Sequence, residues 1–547
     1  MARLIRWATD GAWFASPGLP QIHLTPADLI ECAPSQFDPA SGQRRAALLD
    51  LPQAPVLTGA EQTAEGWRFA VNSDGQIALR AADLAAYLDP APIAPPRRLW
   101  LKEDEADTGK VDYQAYASDE QFRRAVLARV ARQGWALLSG VPTRPDAVED
   151  VVRRFGFIRE TNYGRTFAVR SAPAASNLAF TDAGLAPHSD NPYRDPVPGL
   201  QLLHCLVDAS MGGETRLVDG FAAAEALHAA DPGGFAVLAA TPVHFAWGDG
   251  ANALQTALPV ITLDTGGEIA AIRFNHRAFK AIAAPPEQRT RWRAAYRALA
   301  ALIEAPETGA TFRLGAGDLV IMDNTRVLHG RRAFTDDPGA DKRGGGRHLV
   351  GAYADRDGLL SALAVLTGAE ADRRLARIEA LFASPAMDEA YGEALSIREH
   401  MLQTAALADE AELAPALVAA ALLHDAGWAL DGGAAAHEHS GADWLEDTFG
   451  SAVSEPVRLH VATKRYLVAC EPDYAARLSA ASVATLAQQG GPMTEGEAAA
   501  FAAMPGFAGA VHLRRCDDAA KEPARPAPGF ADYRPLLRRL IAAHLNG

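Results

Sequence analysis

The spacing of apolar residues changes near residue 357, and this change constrains the fold of the chain more than any other feature. Before it, short strand-like runs alternate with turns that contain glycine and proline. After it, apolar residues recur three and four positions apart, which is typical of amphipathic helices. Because 547 residues are too many for one hydrophobic core, the sequence predicts a multidomain α+β protein that ends in an all-α domain.

The part of the chain before this change divides again. Strand-like runs such as Gly66–Val71 stop at a proline-rich segment near residue 95. The part that follows alternates strands and turns around helical stretches at 221–240 and 285–305, as in an antiparallel double-stranded β-helix, or jelly roll, with inserted helices. We therefore expect a small N-terminal β domain, a double-stranded β-helix domain, a helical linker and an all-α domain, at residues 1–95, 96–358, 359–371 and 372–547.

Composition restricts the partners and the location of the chain. A net charge of -15 without a long Lys/Arg block argues against binding to nucleic acid or to an anionic membrane surface. No apolar run is long enough to cross a membrane, and the first residues lack the pattern of a signal peptide, so we predict a cytoplasmic protein. The cysteines Cys32, Cys205, Cys470 and Cys516 lie far apart, which argues against a disulfide framework and a zinc ribbon.

Three residues form a candidate mononuclear metal site. His188 and Asp190 are two positions apart in a strand-like run, and such residues point to the same side of a strand. His329 follows the apolar run Asp318–Met322 and offers a second imidazole. Two histidines and one carboxylate are the ligand set of non-haem Fe(II) oxygenases.

A second candidate metal site lies in the helical region. His424 and Asp425 stand together at the end of an apolar helix, but neighbouring residues of a helix diverge by about 100°. They can share a metal site only if other ligands converge on them, and four are available at His400, His437, His460 and Asp517. Six N/O ligands, with one carboxylate able to bridge, suit a pair of iron ions.

Around the first triad, the sequence resembles the γ-butyrobetaine hydroxylase branch of the 2-oxoglutarate dioxygenases, over roughly residues 1–356. The motifs that carry the resemblance are Asn177–Thr181, His188–Arg194, Pro198–Cys205, Gly212–Thr215, His329–Arg331 and Arg347–Leu349. It implies that the triad holds Fe(II), and that O2 and 2-oxoglutarate are cosubstrates. Arg347 then binds the far carboxylate of 2-oxoglutarate, supported by Thr215. The insert at 336–346 leaves Arg343 as an alternative.

The same resemblance predicts the substrate contacts. Betaine hydroxylases of this branch hold a quaternary ammonium among aromatic rings by cation-π attraction. The matching positions are Tyr163, Phe167 and Phe180, with Asn191 at a fourth. Related phosphonate hydroxylases bind the anionic end of the substrate at the position of Asn275, His276 and Arg277. The zinc site that often occurs in the N-terminal domain of these enzymes retains only Cys32, so we expect no zinc there.

The helical region resembles the HD-domain mixed-valence di-iron oxygenases that cleave 1-hydroxy-2-aminoethylphosphonate, from about residue 372 onward. This resemblance implies a mixed-valence Fe(II)/Fe(III) pair. It places Lys464, Ser482, Thr485 and Gln489 around the phosphonate, and Tyr391 and Glu393 at the amine. Trp428 stands where the family can carry a histidine, and its indole could face a methylated ammonium.

Together, the two resemblances predict a bifunctional enzyme of phosphonate catabolism. The first half would hydroxylate 2-aminoethylphosphonate at carbon 1, and the second would cleave the C-P bond to give glycine and phosphate. The alternative is an N-methylated aminoethylphosphonate, which gives an N-methylated glycine or glycine betaine. From other classes, the second half could be an HD phosphohydrolase or a sensor module. A homodimer through the dioxygenase half also stays open.

Overall fold

The structure is a computed structural model, in which two compact units are formed by Met1–Pro92 with Ala369–Leu545 and by Ile93–Gly368. The residues that it describes are 3–16, 19–63, 66–72, 75–80, 83–84, 87, 94–102, 109–170, 181–208, 210–336, 346–390, 395–431, 436–478, 480–523 and 525–547. In this division, the N-terminal residues group with the helical region in one unit.

The described residues of the N-terminal part include two antiparallel three-stranded sheets and a helix. The strands are β1 Arg3–Ala8, β2 Gly11–Ser16, β3 Leu19–Leu24, β4 Leu57–Gln62, β5 Gly66–Val71 and β6 Gly75–Arg80, and helix α1 is Pro26–Cys32. Phe14 packs edge-on against Trp67, with ring centroids 5.2 Å apart. Cys32, the only cysteine of this part, is buried in the same apolar core.

The second unit is built on two facing sheets. Its strands are β7 Val111–Asp112, β8 Trp135–Ser139, β9 Thr166–Arg170, β10 Leu185–His188, β11 Leu200–Val207, β12 Ser210–Gly212, β13 Thr215–Asp219, β14 Val243–Gly248, β15 Ala253–Leu258, β16 Ile261–Leu263, β17 Ile269–Ile272, β18 Phe279–Ile282, β19 Ala310–Phe312, β20 Leu319–Asp323, β21 Val327–Arg331, β22 Phe334–Asp336 and β23 His348–Ala354. The larger sheet has the order β7-β8-β20-β11-β23-β9 and the smaller one β10-β21-β13-β19.

Alternation along β8 shows how the larger sheet is covered on both faces. Ala136 and Leu138 lie in the core shared with the helices, whereas Trp135 and Leu137 lie in the core shared with the smaller sheet. Side chains of a strand alternate between its two faces, so the buried run fits a central strand. The six helices of this unit before β23, among the described residues, are α2 Tyr113–Ser118, α3 Glu120–Gln133, α4 Ala147–Val152, α5 Gly220–Ala230, α6 Pro232–Ala240 and α7 Pro286–Glu304.

Beyond β23 the described chain is helical. The helices are α8 Arg356–Phe382, α9 Ile397–Glu410, α10 Pro415–Leu423, α11 Ala426–Asp431, α12 His437–Phe449, α13 Ser451–Cys470, α14 Ala480–Gln488, α15 Glu495–Ala502, α16 Phe507–Ala519 and α17 Phe530–Asn546. The segment predicted to be a helical linker, 359–371, lies within the continuous helix α8. No helix among the described residues is both long and apolar enough to span a membrane.

Candidate metal centres

Strand pairing brings the two histidines of the first centre together. His188 is the last residue of β10, and the register of the antiparallel pair places it opposite His329 of β21. Asp190 lies just beyond the strand rather than in it. Its backbone N–H donates to Asn324 Oδ1 at 2.8 Å, and Asn324 Nδ2 donates back to the Asp190 carbonyl at 3.1 Å. This loop, rather than strand alternation, aims the carboxylate at the histidines.

The ligand atoms of this centre converge. Nε2 of His188 lies 3.3 Å from one carboxylate oxygen of Asp190, and Nε2 of His329 lies 3.9 Å from the other. One ligand atom from each residue can be chosen so that all three lie within 4.8 Å of one another. The three residues predicted to bind iron are therefore placed where a single ion could bind them all.

Surrounding groups set the orientation and charge of these ligands. Nδ1 of His188 donates to the carbonyl of Ala186 at 2.9 Å, which leaves Nε2 for a metal. Asp190 Oδ2 accepts hydrogen bonds from Gln201 Nε2 at 2.8 Å and from Tyr353 at 3.0 Å. Burial raises the pKa of Asp190, but the contact with His188 and the charges of the histidines outweigh it and hold the pKa well below its usual range.

For the imidazole of His329, burial has the opposite effect: it lowers the pKa to about 3, and the neighbouring His188 lowers it further. An ionised Asp190 carboxylate and a neutral His329 imidazole are in the protonation states that metal ligands need. The residues of this centre therefore fit an Fe(II) ion in both geometry and charge.

A cavity of about 430 Å³ adjoins this centre and contains the predicted 2-oxoglutarate residues. Arg347, which directly precedes β23, is 6% exposed, and Thr215 of β13 is 4% exposed. Arg331 of β21, which received no role from the sequence, also lines the cavity. Its guanidinium donates to the carbonyls of Thr181 and Ala183 at 2.7 Å. Two buried guanidinium groups with a hydroxyl make this part of the cavity suited to a carboxylate.

Five aromatic side chains line the same cavity and form a continuous ring cluster, consisting of Tyr163, Phe167, Tyr193, Trp247 and Tyr353. The centroids of Phe167 and Tyr353 are 5.0 Å apart, and those of Tyr163 and Trp247 are 5.5 Å apart. The hydroxyls of Tyr163 and Tyr193 lie 2.9 Å apart and share a hydrogen bond. Tyr163 and Phe167 were predicted from the sequence, while Tyr193, Trp247 and Tyr353 were missed.

The other predicted substrate contacts fall in different places. Asn191 lines the cavity, but its Oδ1 accepts from Tyr193 at 2.8 Å and its φ is 53°, so it also shapes the loop after Asp190. Asn275 and Arg277 line the cavity, together with Lys280. His276 does not line it, because its ring stacks on Phe279 at 5.6 Å. Phe180 and Arg343 lie outside the described residues.

The second centre consists of two sets of three ligands. One set is His400, His424 and Asp517, and the other is Asp425, His437 and His460, each with ligand atoms within 4.8 Å of one another. All six residues are at most 5% exposed. They come from helices α9, α12, α13 and α16 and from the α10–α11 junction, where His424 and Asp425 lie.

Asp425 faces both sets. Its Oδ2 lies 3.2 Å from Nε2 of His424, and its Oδ1 lies 3.2 Å from Nε2 of His437 and 3.7 Å from Nε2 of His460. Both oxygens are buried, and among the described residues no hydrogen bond to either is present apart from these imidazole contacts. A buried carboxylate in this situation is expensive without a cation, so the arrangement fits two metal ions that share Asp425.

The imidazoles of this centre are oriented from behind. Nδ1 of His400 donates to the carbonyl of Ala520, and Nδ1 of His424 to that of Ala421, both at 2.9 Å. Nδ1 of His460 donates to the carbonyl of Val457 at 2.6 Å. Each of these bonds leaves Nε2 directed at the centre, as is usual for metal-binding histidines.

Arg514 orients Asp517, the other carboxylate of the second centre. Its guanidinium lies 2.8 Å from Oδ2 of Asp517, while Oδ1 of Asp517 faces Nε2 of His400 at 3.3 Å. Burial raises the pKa of Asp517, but the charge of Arg514 and the contact with His400 hold it well below its usual range. The sequence did not identify Arg514, although its spacing of three from Asp517 on a helix is a detectable signal.

Beside this centre lie the residues predicted to hold a phosphonate. Lys464 follows His460 by one helical turn and donates to Thr485 Oγ1 at 2.7 Å. Ser482 is 7% exposed, and the buried Oε1 of Gln489 accepts no hydrogen bond from the part of the chain that the structure describes. Burial, followed by the charge of Arg514, lowers the pKa of Lys464 to about 8. The structure thus brings Lys464 and Thr485 together, with Ser482 on the same helix, and the backbone N–H of Gln489 donates to the carbonyl of Thr485 at 3.0 Å.

Trp428 lies beside the centre, with its ring 5.3 Å from that of His437. Gly427 precedes it and allows α11 to approach α12 closely, since a Cβ there would stand 2.0 Å from the carbonyl oxygen of His437. Tyr391 and Glu393, predicted at the amine end, lie outside the described residues.

Comparison with known proteins agrees with the first centre. The profile described as "Taurine catabolism dioxygenase TauD, TfdA family" matches residues 92–353. Gamma-butyrobetaine dioxygenase of Pseudomonas sp. (strain AK-1) is 40% identical over 255 residues, which are 47% of this chain and 65% of that protein. The human gamma-butyrobetaine dioxygenase is 32% identical over 277 residues, which are 50% of this chain and 70% of that protein.

Among solved structures, asparagine oxygenase in complex with Fe(II), 2S,3S-3-hydroxyasparagine and succinate is 17% identical. The match covers 47% of this chain and 94% of that one with a TM-score of 0.34.

A double-stranded β-helix that carries a triad of two histidines and one aspartate beside a buried arginine defines an oxidoreductase domain dependent on Fe(II) and 2-oxoglutarate. With the relatives described above, the chain belongs to the TauD/TfdA family of dioxygenases and is similar to the γ-butyrobetaine dioxygenases within it.

Proposed function

We propose that the β-helix domain hydroxylates an N-methylated aminoethylphosphonate at carbon 1, with Fe(II), 2-oxoglutarate and O2. The observation that carries this proposal is the ring cluster in the cavity beside His188, Asp190 and His329. Ring faces attract a methylated ammonium, whose charge is spread over carbons and which forms no hydrogen bonds. The relatives named as gamma-butyrobetaine dioxygenases support a betaine-like substrate.

The cavity also supports an anionic group on the substrate. Arg277 and Lys280 line it in addition to Arg331 and Arg347. With Arg347 and Thr215 taken by the cosubstrate carboxylate, cations remain for a second anion. A zwitterion with an ammonium among the rings and a phosphonate at Arg277 would present the carbon between its charged ends to the triad.

Each component of this first site has a separate task. When bound, Fe(II) with O2 and 2-oxoglutarate supplies the oxidising power for C-H hydroxylation, releasing succinate and CO2. Gln201 and Tyr353 hold the Asp190 carboxylate in its ionised form. The ring cluster excludes water and positions the substrate, and positioning within about 0.5 Å is what such reactions require.

For the helical domain, we propose oxidative cleavage of the C-P bond of the 1-hydroxy product by a mixed-valence iron pair. The two ligand sets that share Asp425 support this proposal, together with the lysine and hydroxyl groups beside them. In the overall reaction, R-CH(OH)-PO3²⁻ and O2 give R-COO⁻, HPO4²⁻ and H⁺. When bound, the metal pair supplies the redox chemistry and Lewis acidity for this step.

The two proposed reactions are consecutive, because the first creates the hydroxyl group that the second requires. With a trimethylated amine, the product is glycine betaine, and with the free amine it is glycine. The sequence favoured 2-aminoethylphosphonate as the substrate, whereas the five rings of the cavity favour the methylated compound. Trp428 beside the second centre supports the same preference.

Phosphate release from the iron-loaded protein tests this function. The assay compares 2-aminoethylphosphonate with its trimethylated analogue, each with and without 2-oxoglutarate and O2. We expect phosphate from the methylated substrate only when both cosubstrates are present. The free amine as the better substrate would overturn the methylation proposal alone. Phosphate from simple phosphate esters in the absence of O2, and from neither phosphonate, would show that the helical domain is a phosphohydrolase.

A further inference from the structure

Beside the second centre, two lysines approach two hydroxyl groups on one face of helix α14. Lys464 Nζ donates to Thr485 Oγ1 at 2.7 Å, and Lys521 Nζ donates to Ser482 Oγ at 3.1 Å. Ser482 and Thr485 are three residues apart on the helix and so lie on the same side of it. Each hydroxyl therefore has its own ammonium group, and the two pairs lie next to each other.

Lys521 is attached to the metal centre through the backbone. It follows the ligand Asp517 by four residues, directly after Ala520, whose carbonyl accepts the hydrogen bond from Nδ1 of His400. A movement of this segment would disturb both the imidazole and the lysine. The lysine is consequently held in a defined position relative to the ligands rather than extending freely from the surface.

The electrostatics of this corner favour an anion of high charge. Lys464 is 3% exposed, and its charge is opposed by both Arg514 and Lys521. Arg514 is already paired with Asp517 and Asp518, which also attract Lys464, so an anion bound here would meet the ammonium groups of Lys464 and Lys521. A tetrahedral dianion offers three oxygens, which suit two ammonium groups and two hydroxyls.

We propose that Lys521 is a second cationic binding residue of the phosphonate subsite, acting with Ser482, and that it makes this subsite selective for dianionic phosphonates over monoanionic sulfonates. The inference rests on the proposed C-P cleavage function of the helical domain. Lys464 alone provides one charge, which a sulfonate would satisfy. The ammonium group of Lys521 increases the affinity only for a ligand with a second negative charge, which a phosphonate has and a sulfonate lacks.

The test measures binding of ethylphosphonate and ethanesulfonate to the iron-loaded full chain by calorimetry at pH 8, and the KM and kcat for phosphate release from the 1-hydroxy substrate. The variant Lys521→Met removes the charge but keeps the length of the side chain, and Lys521→Arg restores the charge. Arg515→Met is the matched control. It removes one positive charge from α16, where Arg515 is exposed and pairs with Glu471 at 2.6 Å.

In Lys521→Met, we expect the affinity for ethylphosphonate and the KM of the substrate to weaken about tenfold to a hundredfold, with kcat changed by less than about threefold. Ethanesulfonate binding should change by less than about threefold, Lys521→Arg should recover most of the loss, and Arg515→Met should behave like the parent chain. Equal losses for both probes, or no loss in Lys521→Met, would overturn the inference while leaving C-P cleavage intact. A parent chain that neither binds ethylphosphonate nor releases phosphate would overturn the proposed function, and this inference with it.

Discussion

The two candidate metal centres of this chain differ in what holds them and in what they face. The first is built on paired strands and a loop, and its carboxylate, Asp190, is 26% exposed toward a cavity of about 430 Å³. The second is built on helices, and Asp425 at its middle is 1% exposed. A centre that opens to a cavity can admit a cosubstrate and a substrate, whereas the carboxylate of the second centre is enclosed by imidazoles.

The two centres also differ in how many ligand sets their central carboxylate faces. Asp190 belongs to one triad, and its second oxygen is occupied by Gln201 and Tyr353. Asp425 has one oxygen toward each of two ligand sets. Loss of Asp425 should therefore remove two ions at once, and loss of a ligand in the first centre only one.

The largest effect is expected from Asp425→Ala. Phosphate release from the 1-hydroxy substrate should fall about a thousandfold or more, since loss of residues behind a metal ligand already costs about 10–100-fold. Bound iron should drop by two ions per chain, while succinate formation stays unchanged. Iron analysis and the two separate assays measure this result.

His439→Ala is the matched control for this variant, because His439 lies on α12 two residues from the ligand His437 but its side chain is 60% exposed. The control should retain both activities. If the iron content of Asp425→Ala fell by one ion per chain instead of two, the result would contradict the shared-carboxylate arrangement.

His188→Ala is the counterpart in the first centre. It removes one of three ligands, so 2-oxoglutarate-dependent hydroxylation should fall about a thousandfold or more, with one iron lost per chain. Cleavage of supplied 1-hydroxy substrate should continue at the parent rate. His228→Ala, a change at an exposed histidine of α5, is the control. If either His188→Ala or Asp425→Ala abolished both reactions, the two centres would not be independent.

The candidate ligands of both centres, and several of the strands and helices around them, could be predicted from the sequence. Side-chain chemistry and spacing identified all nine ligand candidates, because histidine and aspartate in such patterns have few other uses. The strand predicted at Gly66–Val71 matches β5, and the helical stretch predicted at 285–305 matches α7, Pro286–Glu304. Local periodicity is enough for elements of this kind.

What could not be predicted depends on contacts between distant segments. Asp190 lies outside its strand because Asn324, far along the chain, holds the loop. Trp247 joins the ring cluster from β14, and nothing in its local sequence distinguishes it from a core residue. Lys521 gives no local signal either, since its partner Ser482 is 39 residues away.

Arg347→Lys tests the cavity of the first centre. Lysine keeps the charge but loses the paired donors that match a carboxylate. The KM for the cosubstrate 2-oxoglutarate should rise about tenfold to a hundredfold, with a smaller change in the KM for the phosphonate. Arg332→Lys, at an exposed neighbour of β21, should have no effect. A KM that rises only in the phosphonate assay would assign Arg347 to the substrate instead.

Trp247→Leu tests the ring cluster, with a moderate expected effect. The change removes the π-system but keeps an apolar side chain, so the KM for the trimethylated substrate should rise about 3-fold to 30-fold. The KM for the unmethylated amine should change by less than about twofold. Trp292→Leu is not a suitable control, because Trp292 is a core residue that is 1% exposed. Equal changes for both amines would indicate loss of packing rather than of a cation-π contact.

The smallest effect is expected when the pH is raised and the KM for the 1-hydroxy substrate of the second centre is measured. Lys464 is protonated below its pKa, which burial and Arg514 lower to about 8. Its charge, and with it the attraction for a phosphonate, is therefore present at pH 7 and declines as the pH rises through 8. The KM for the 1-hydroxy substrate should rise about 3-fold to 10-fold between pH 7 and 9. In Lys464→Arg, whose guanidinium stays charged over this range, the rise should be absent. An identical rise of the KM in the parent chain and in Lys464→Arg would assign the titration to another group. Succinate formation at the first centre, measured over the same pH range, provides the internal reference.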